Sequence, residues 1–240
     1  FQDPLTALDP MFTIGDQLFE TVQAHEKLSK EETRARALEA LNMVGISNGE
    51  EVFNAYPCEF SAGFRQRIMI ALAMICRPYL VIADEPTTTL GATVQAQVLD
   101  SLYEIRHKSG AAVILITHDF GVVSQFTTHI MVMYAGICVE CGPKKRLLLH
   151  PHHPYTIGLI RSVPLIEARR GKRLKSIPGF PPNMVNLPPG CPFAPRCEYA
   201  QDVCRRQMPP LLEVAENHLC ACHFPVAYDT REDLILPENI

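Results

Sequence analysis

The chain has 240 residues, 47% of them hydrophobic and 20% charged, with a formal net charge of -4. That composition suits a globular protein with a real core and leaves no basic footprint for nucleic acid. The longest apolar run, Ile68 to Cys76, is far too short to span a bilayer, no secretory leader is visible, and nine cysteines without one point to reduced thiols or a metal site, not a disulfide framework.

Phe1 to Pro10, FQDPLTALDP, reads as a loop from its Pro and Asp content. Met11 to Ala55 reads as mostly helical. Ser29 with Glu32 makes a capping box, Leu38, Leu41 and Val44 recur at helical spacing, and Gly45 is placed to end that helix. Ser61 is a good N-cap for a helix over Phe64 to Cys76, which carries Arg65 and Arg67 early. Ala62 and Gly63 are small enough for the backbone to approach a ligand, and a helix N-terminus is an anion site.

Tyr79 to Ala83, YLVIA, reads as a strand buried on both faces, as in a parallel sheet. It ends at Asp84 and Glu85, and Pro86 stops the ladder. Ligands of open α/β sheets sit beyond the carboxyl ends of the strands. One carboxylate there can hold a hydrated Mg²⁺, and the other can orient or deprotonate an attacking water. A lone Asp-Glu is equally readable as a solvated strand end, so the surrounding parts have to decide.

Thr93 to His107 reads as the next helix. Ala111 to Ile116, AAVILI, reads as a second buried strand ending in Thr117, His118 and Asp119. His129 to Tyr134 and Ile137 to Glu140 read as a hairpin turning at Ala135-Gly136. The C-x-x-C of Cys138 and Cys141 matches no motif and reads as incidental. In HPHHPYTIGLIRSVP, Pro151 and Pro154 force an extended path and no carboxylate lies close in sequence, so the histidines read as structural. The basic stretch Arg169 to Lys175 reads as a solvated linker, and the Pro-rich Ile177 to Gly190 as a loop. The tail carries Cys191, Cys197, Cys204 and Cys222. Their spacing fits zinc poorly. Four thiolates from a loop-rich tail can hold an iron–sulfur cluster, and a cluster, zinc and unliganded thiols all stay open.

The order of parts resembles the ABC ATPase family: FSAGF at Phe60 to Phe64 followed by RQR, where the family has its L-S-G-G-Q signature, then YLVIADEP, where it has its Walker B strand. FQDP at the start is similar to the Q-loop of peptide-transporter ATPases. The HPYT segment and the cysteine tail resemble the oligopeptide, dipeptide and nickel branch. The resemblance runs from Phe1 to about Phe224. It implies an α/β fold of the P-loop NTPase type: residues 1–164 as a partial ABC ATPase domain of parallel sheet plus helical subdomain (about 11–76), and 165–240 as a C-terminal extension. It implies ATP and Mg²⁺ as ligands. Glu85 is then the general base and Asp84 holds Mg²⁺ through water. Gln2 and His118 complete the γ-phosphate shell, and Ser61, Ala62 and Gly63 face a partner's nucleotide. It also implies a [4Fe-4S] cluster on Cys191, Cys197, Cys204 and Cys222, with Cys220 as substitute or bystander. The implied partners are a second ATPase subunit, two transmembrane permease subunits and an extracytoplasmic substrate-binding protein, with the chain peripheral on the cytoplasmic face of the inner membrane.

Three departures qualify the match. Ala62 replaces the first signature glycine, Gly91 stands where the family has an Asp after Leu90, and no G-x-x-x-x-G-K-[ST] phosphate loop occurs in the 240 residues. The chain begins at Phe1 inside a motif, so we expect a fragment of a longer protein. The expected function is an ATP-hydrolysing subunit energising peptide import. The alternatives are a degenerate, non-hydrolysing partner subunit and, against the HPYT segment and the cysteine tail, a soluble DNA-maintenance ATPase.

Overall fold

The computed structural model describes residues 3–88, 90–163 and 176–230. Gln2 and the basic stretch Arg169 to Lys175 lie outside the described residues. The chain divides into two compact units, Phe1–His118 and Asp119–Ile240.

In the first unit come α1 (Pro4–Ala7), α2 (Ile14–His25), α3 (Lys30–Met43), α4 (Gly49–Asn54), α5 (Ala62–Met74), β1 (Leu80–Asp84), α6 (Ala92–Ser109) and β2 (Ala112–Ile116). Capping boxes start two of the helices, Thr13 with Asp16 for α2 and Ser29 with Glu32 for α3; such caps are typically worth about 1 kcal/mol. Past the end of α3, Gly45 takes φ +76°. The Gly45 N–H then reaches the Asn42 carbonyl and the Ile46 N–H reaches that of Leu41, both at 3.0 Å, the two bonds of a Schellman motif. Leu41 and Val44 are buried as their spacing predicts. Leu38 is only half-buried, because the inward stripe of α3 runs through Thr33, Ala37, Ala40 and Leu41. Helix α5 starts two residues before the predicted Phe64. Ser61 occupies its N-cap position with extended backbone, yet its hydroxyl makes no capping hydrogen bond.

Strands β1 and β2 pair in parallel without a slip, from Leu80 opposite Ala112 to Asp84 opposite Ile116. The expectation that both strands are buried on both faces fails. Val81 and Ala83 are buried, but Ile82 is 59% exposed and Ile114 48%. A continuous apolar run gives no sign of which faces are covered. Among the described residues this sheet has two strands, and α6 packs against β2.

The second unit holds α7 (Phe120–Phe126), β3 (His129–Tyr134), β4 (Ile137–Pro143), α8 (Lys144–Leu149), α9 (Pro154–Arg161), α10 (Asp202–Arg206), β5 (Leu212–Ala215) and β6 (His218–Cys220). Its antiparallel sheet has the order β3-β4-β6-β5. The predicted hairpin turn stands at Ala135 and Gly136, both at positive φ (+50° and +78°), as a two-residue hairpin loop that follows the strand twist requires. The core under the sheet gathers Ile130, Val132, Tyr134, Val139, Leu147 and Phe193. Pro154 does not extend the chain as expected; it opens α9, a position where its missing N–H costs nothing.

A carboxylate to which the sequence reading gave no role organises this unit. Glu140 on β4 is fully buried. It accepts from the backbone N–H groups of His152 (2.6 Å) and His153 (3.1 Å) and from His218 Nε2 (2.8 Å). Burial alone raises its pKa, but the hydrogen bonds, led by that from His218, outweigh it and hold the carboxyl below the ordinary range. His153, itself 1% exposed, is pushed down by burial to about 4.

A histidine that folds neutral resists protonation that the unfolded chain accepts. The His153 contribution is therefore present above pH 6.5 and lost as pH falls from there through about 4. Urea melts of the protein are expected to lose roughly 3 kcal/mol across that window. His153→Asn, which keeps a short acceptor for the Tyr155 N–H, is expected to flatten the slope.

Candidate active site

The unslipped β1–β2 pairing brings the ends of the two strands together, and with them Glu85 and His118. The Glu85 N–H donates to the Ile116 carbonyl at 2.9 Å, extending the ladder one step past the strand. There the backbone turns left-handed, with φ +45° at Glu85, a costly conformation for a side chain other than glycine and one that concentrates at functional sites. His118 Nδ1 then lies 3.0–3.1 Å from both Glu85 carboxylate oxygens. The Thr88 hydroxyl donates to the same carboxylate. These bonds, Thr88 first and His118 second, hold the Glu85 carboxyl below its usual pKa. The glutamate is thus ionised at neutral pH and oriented from two sides. Its side chain is 23% exposed and that of His118 71%, so the site is open.

Asp84 ends β1 with its side chain exposed. Thr88 was missed in the sequence, although a hydroxyl three residues after an acid in a proline turn is a readable signal. Gly91 is the N-cap of α6, and a Cβ there would meet nothing within 4 Å. The fold therefore does not require a glycine at that position.

At the start of α5, Ser61 is exposed, Ala62 half-buried and Gly63 buried. A Cβ on Gly63 would overlap Val94 Cγ1, so that glycine lets α5 and α6 approach closely. Arg65 turns back to bond the Phe60 carbonyl at 2.8 Å. Arg67 lies over the Phe64 ring, 4.9 Å from its centroid.

Cys191, Cys197, Cys204 and Cys222 line one cavity with Phe193, Tyr199 and Phe224. Burial raises the thiol pKa of Cys191, Cys197 and Cys222, the last to about 11, and the neighbouring cysteines add to it. Cys220 lies off that cavity, 1% exposed on β6. Among the described residues no three His, Cys, Asp or Glu side chains converge as ligands of one metal ion.

Residues 1–88 match the ABC transporter family and residues 139–204 the C-terminal region of oligopeptide/dipeptide transporters. The chain is 48% identical to the dipeptide transport ATP-binding protein DppD of Bacillus subtilis, over 92% of this chain and 66% of that one. It is 44% identical to the oligopeptide transport ATP-binding protein OppD of Salmonella typhimurium, over 94% of this chain and 67% of that one. This chain belongs to the oligopeptide/dipeptide family of ABC transporter ATP-binding proteins. It spans about two thirds of the length of these two relatives. Among solved structures, the ABC cassette MJ0796 bound to ADP and Pi aligns with a TM-score of 0.51 at 27% identity, over 60% of this chain and 61% of that one. CbiO1 from Clostridium perfringens aligns with a TM-score of 0.55 at 26% identity, over 61% and 57%.

Two outcomes follow for this ABC subunit. Gly63→Ala is expected to cost about 1–3 kcal/mol in a denaturant melt, and adding Val94→Ala should restore most of it. Thr88→Val is expected to move the Glu85 carboxyl titration, followed by NMR, upward toward the ordinary glutamate value.

Proposed function

We propose that this chain is an ATP-binding and ATP-hydrolysing subunit of a peptide importer. The observation that carries the reading is the ionised Glu85 carboxylate held between Thr88 and His118 at the carboxyl ends of two parallel strands. Glu85 would orient and deprotonate the attacking water, Asp84 next to it in sequence would hold hydrated Mg²⁺, and His118 and Gln2 would act on the γ-phosphate. Mg²⁺ supplies charge neutralisation of the phosphates. Ser61 is exposed and its hydroxyl is not spent on capping. That supports a role, with the N–H groups of Ala62 and Gly63, in clamping a nucleotide held by a second ATPase subunit. Two permease subunits and an extracytoplasmic substrate-binding protein complete the assembly. The chain sits peripherally on the cytoplasmic face of the inner membrane, in keeping with the lack of any described helix long and apolar enough to cross one.

The four tail cysteines fit a [4Fe-4S] cluster better than a zinc ion. The four thiols line one cavity, their sequence spacing fits a zinc site poorly, and thiolates from a loop-rich segment suit a cluster. Cys191, Cys197, Cys204 and Cys222 would hold it as a structural staple.

Gly91 favours a second reading, a non-hydrolysing partner, because packing leaves room for the family's Asp that is missing there. In the assembled transporter, Glu85→Gln is expected to keep ATP binding while lowering turnover by about 10²–10⁴. Undiminished hydrolysis would remove Glu85 as the base. Hydrolysis that persists when only the partner's catalytic glutamate is disabled would discard the second reading.

A further inference from the structure

Strands β3 and β4 set four sulfur side chains on one face of the second unit's sheet. The register puts Met131 opposite Cys141 and Met133 opposite Cys138. Strict alternation would send Cys138 and Cys141, three residues apart, to opposite faces. The register shift between Val132 and Met133 makes Val139 an extra residue in β4. Val139 and Glu140 are consequently both buried, and both cysteines return to the face of Met131 and Met133. The methionines are 62% and 55% exposed and the cysteines half-buried. Facing positions on paired strands hold their Cβ atoms about 4.5–5.5 Å apart, so a thioether and a thiol from each pair can meet.

A bridging soft cation displaces the thiol protons as it binds. Thiolate and thioether donors together select Cu(I)-like ions over harder ones.

We propose that Met131, Met133, Cys138 and Cys141 form a binding site for one soft monovalent cation, Cu(I) or Ag(I). It uses none of the nucleotide residues and none of the four tail cysteines. With only two thiols, it depends on the thioethers for its remaining ligands.

The test titrates the reduced, anaerobic full-length protein with Ag(I), and with Cu(I) against a competing chromogenic chelator, and counts the equivalents retained. The tail cysteines contribute equally to every variant compared. Cys138→Ser with Cys141→Ser is expected to retain one equivalent fewer. Met131→Leu with Met133→Leu, which leaves every thiol in place, is expected to weaken that equivalent on the order of 10–100-fold; this variant decides the matter if the serine pair fails to fold. Unchanged retention in the methionine variant overturns the proposal. So does rapid formation of a Cys138–Cys141 disulfide under mild peroxide in protein that retains no extra metal.

Discussion

The chemistry of the first unit rests on strand register. β1 and β2 pair in parallel from Leu80 opposite Ala112 to Asp84 opposite Ile116, and the Glu85 N–H takes the next carbonyl along. A slip of one residue would turn every side chain to the other face and part Glu85 from His118. Because the ladder fixes the backbone, the left-handed turn at Glu85 is held despite its cost. The carboxylate then emerges between two donors, Thr88 and His118. Those donors stabilise the ionised form, so this glutamate is a weaker base than a free one and a better-aimed one. That suits a reaction whose catalysis is mostly positioning and charge stabilisation.

The second unit depends on a buried ion. A lone carboxylate in a dry core is very costly. Glu140 is tolerated because His152 and His153 present backbone N–H groups to it and His218 a ring nitrogen. The three donors come from the loop before α9 and from β6, so one carboxylate ties both segments to β4. The same loop places His153 near Phe193, whose ring packs edge-on against Tyr134 at 5.2 Å. Arg196 bonds the Pro178 and Ile177 carbonyls. Through these contacts the loop-rich segment carrying Cys191 and Cys197 is held in place with little regular structure of its own.

Much of this was legible in the sequence. Capping residues state their structure locally, and Ser29, Glu32 and Gly45 act as their identities predict. The hairpin turn at Ala135-Gly136 and the parallel strand before Asp84 belong to the same class. Long-range pairing was not legible. Nothing near Glu140 in the chain announces His218, and the HPHHP string acts largely through backbone N–H groups, which sequence does not distinguish. Coverage of a strand face was equally hidden, since YLVIA reads the same whether one side is packed or two. A bulge hides in the same way: it puts Cys138 and Cys141 on one face, where simple alternation separates them. At the site, Glu85 and His118 could be named from motif order. Their hydrogen bond and the part played by Thr88 came only from the fold.

On the proposed reading, this chain turns ATP hydrolysis into peptide import. The direct measurement is ATPase turnover of the reconstituted transporter in lipid, with and without peptide-loaded substrate-binding protein on the opposite side. Turnover is expected to rise with loaded binding protein, and peptide uptake to require ATP. Turnover indifferent to peptide and binding protein, with no ATP-dependent uptake, would contradict it.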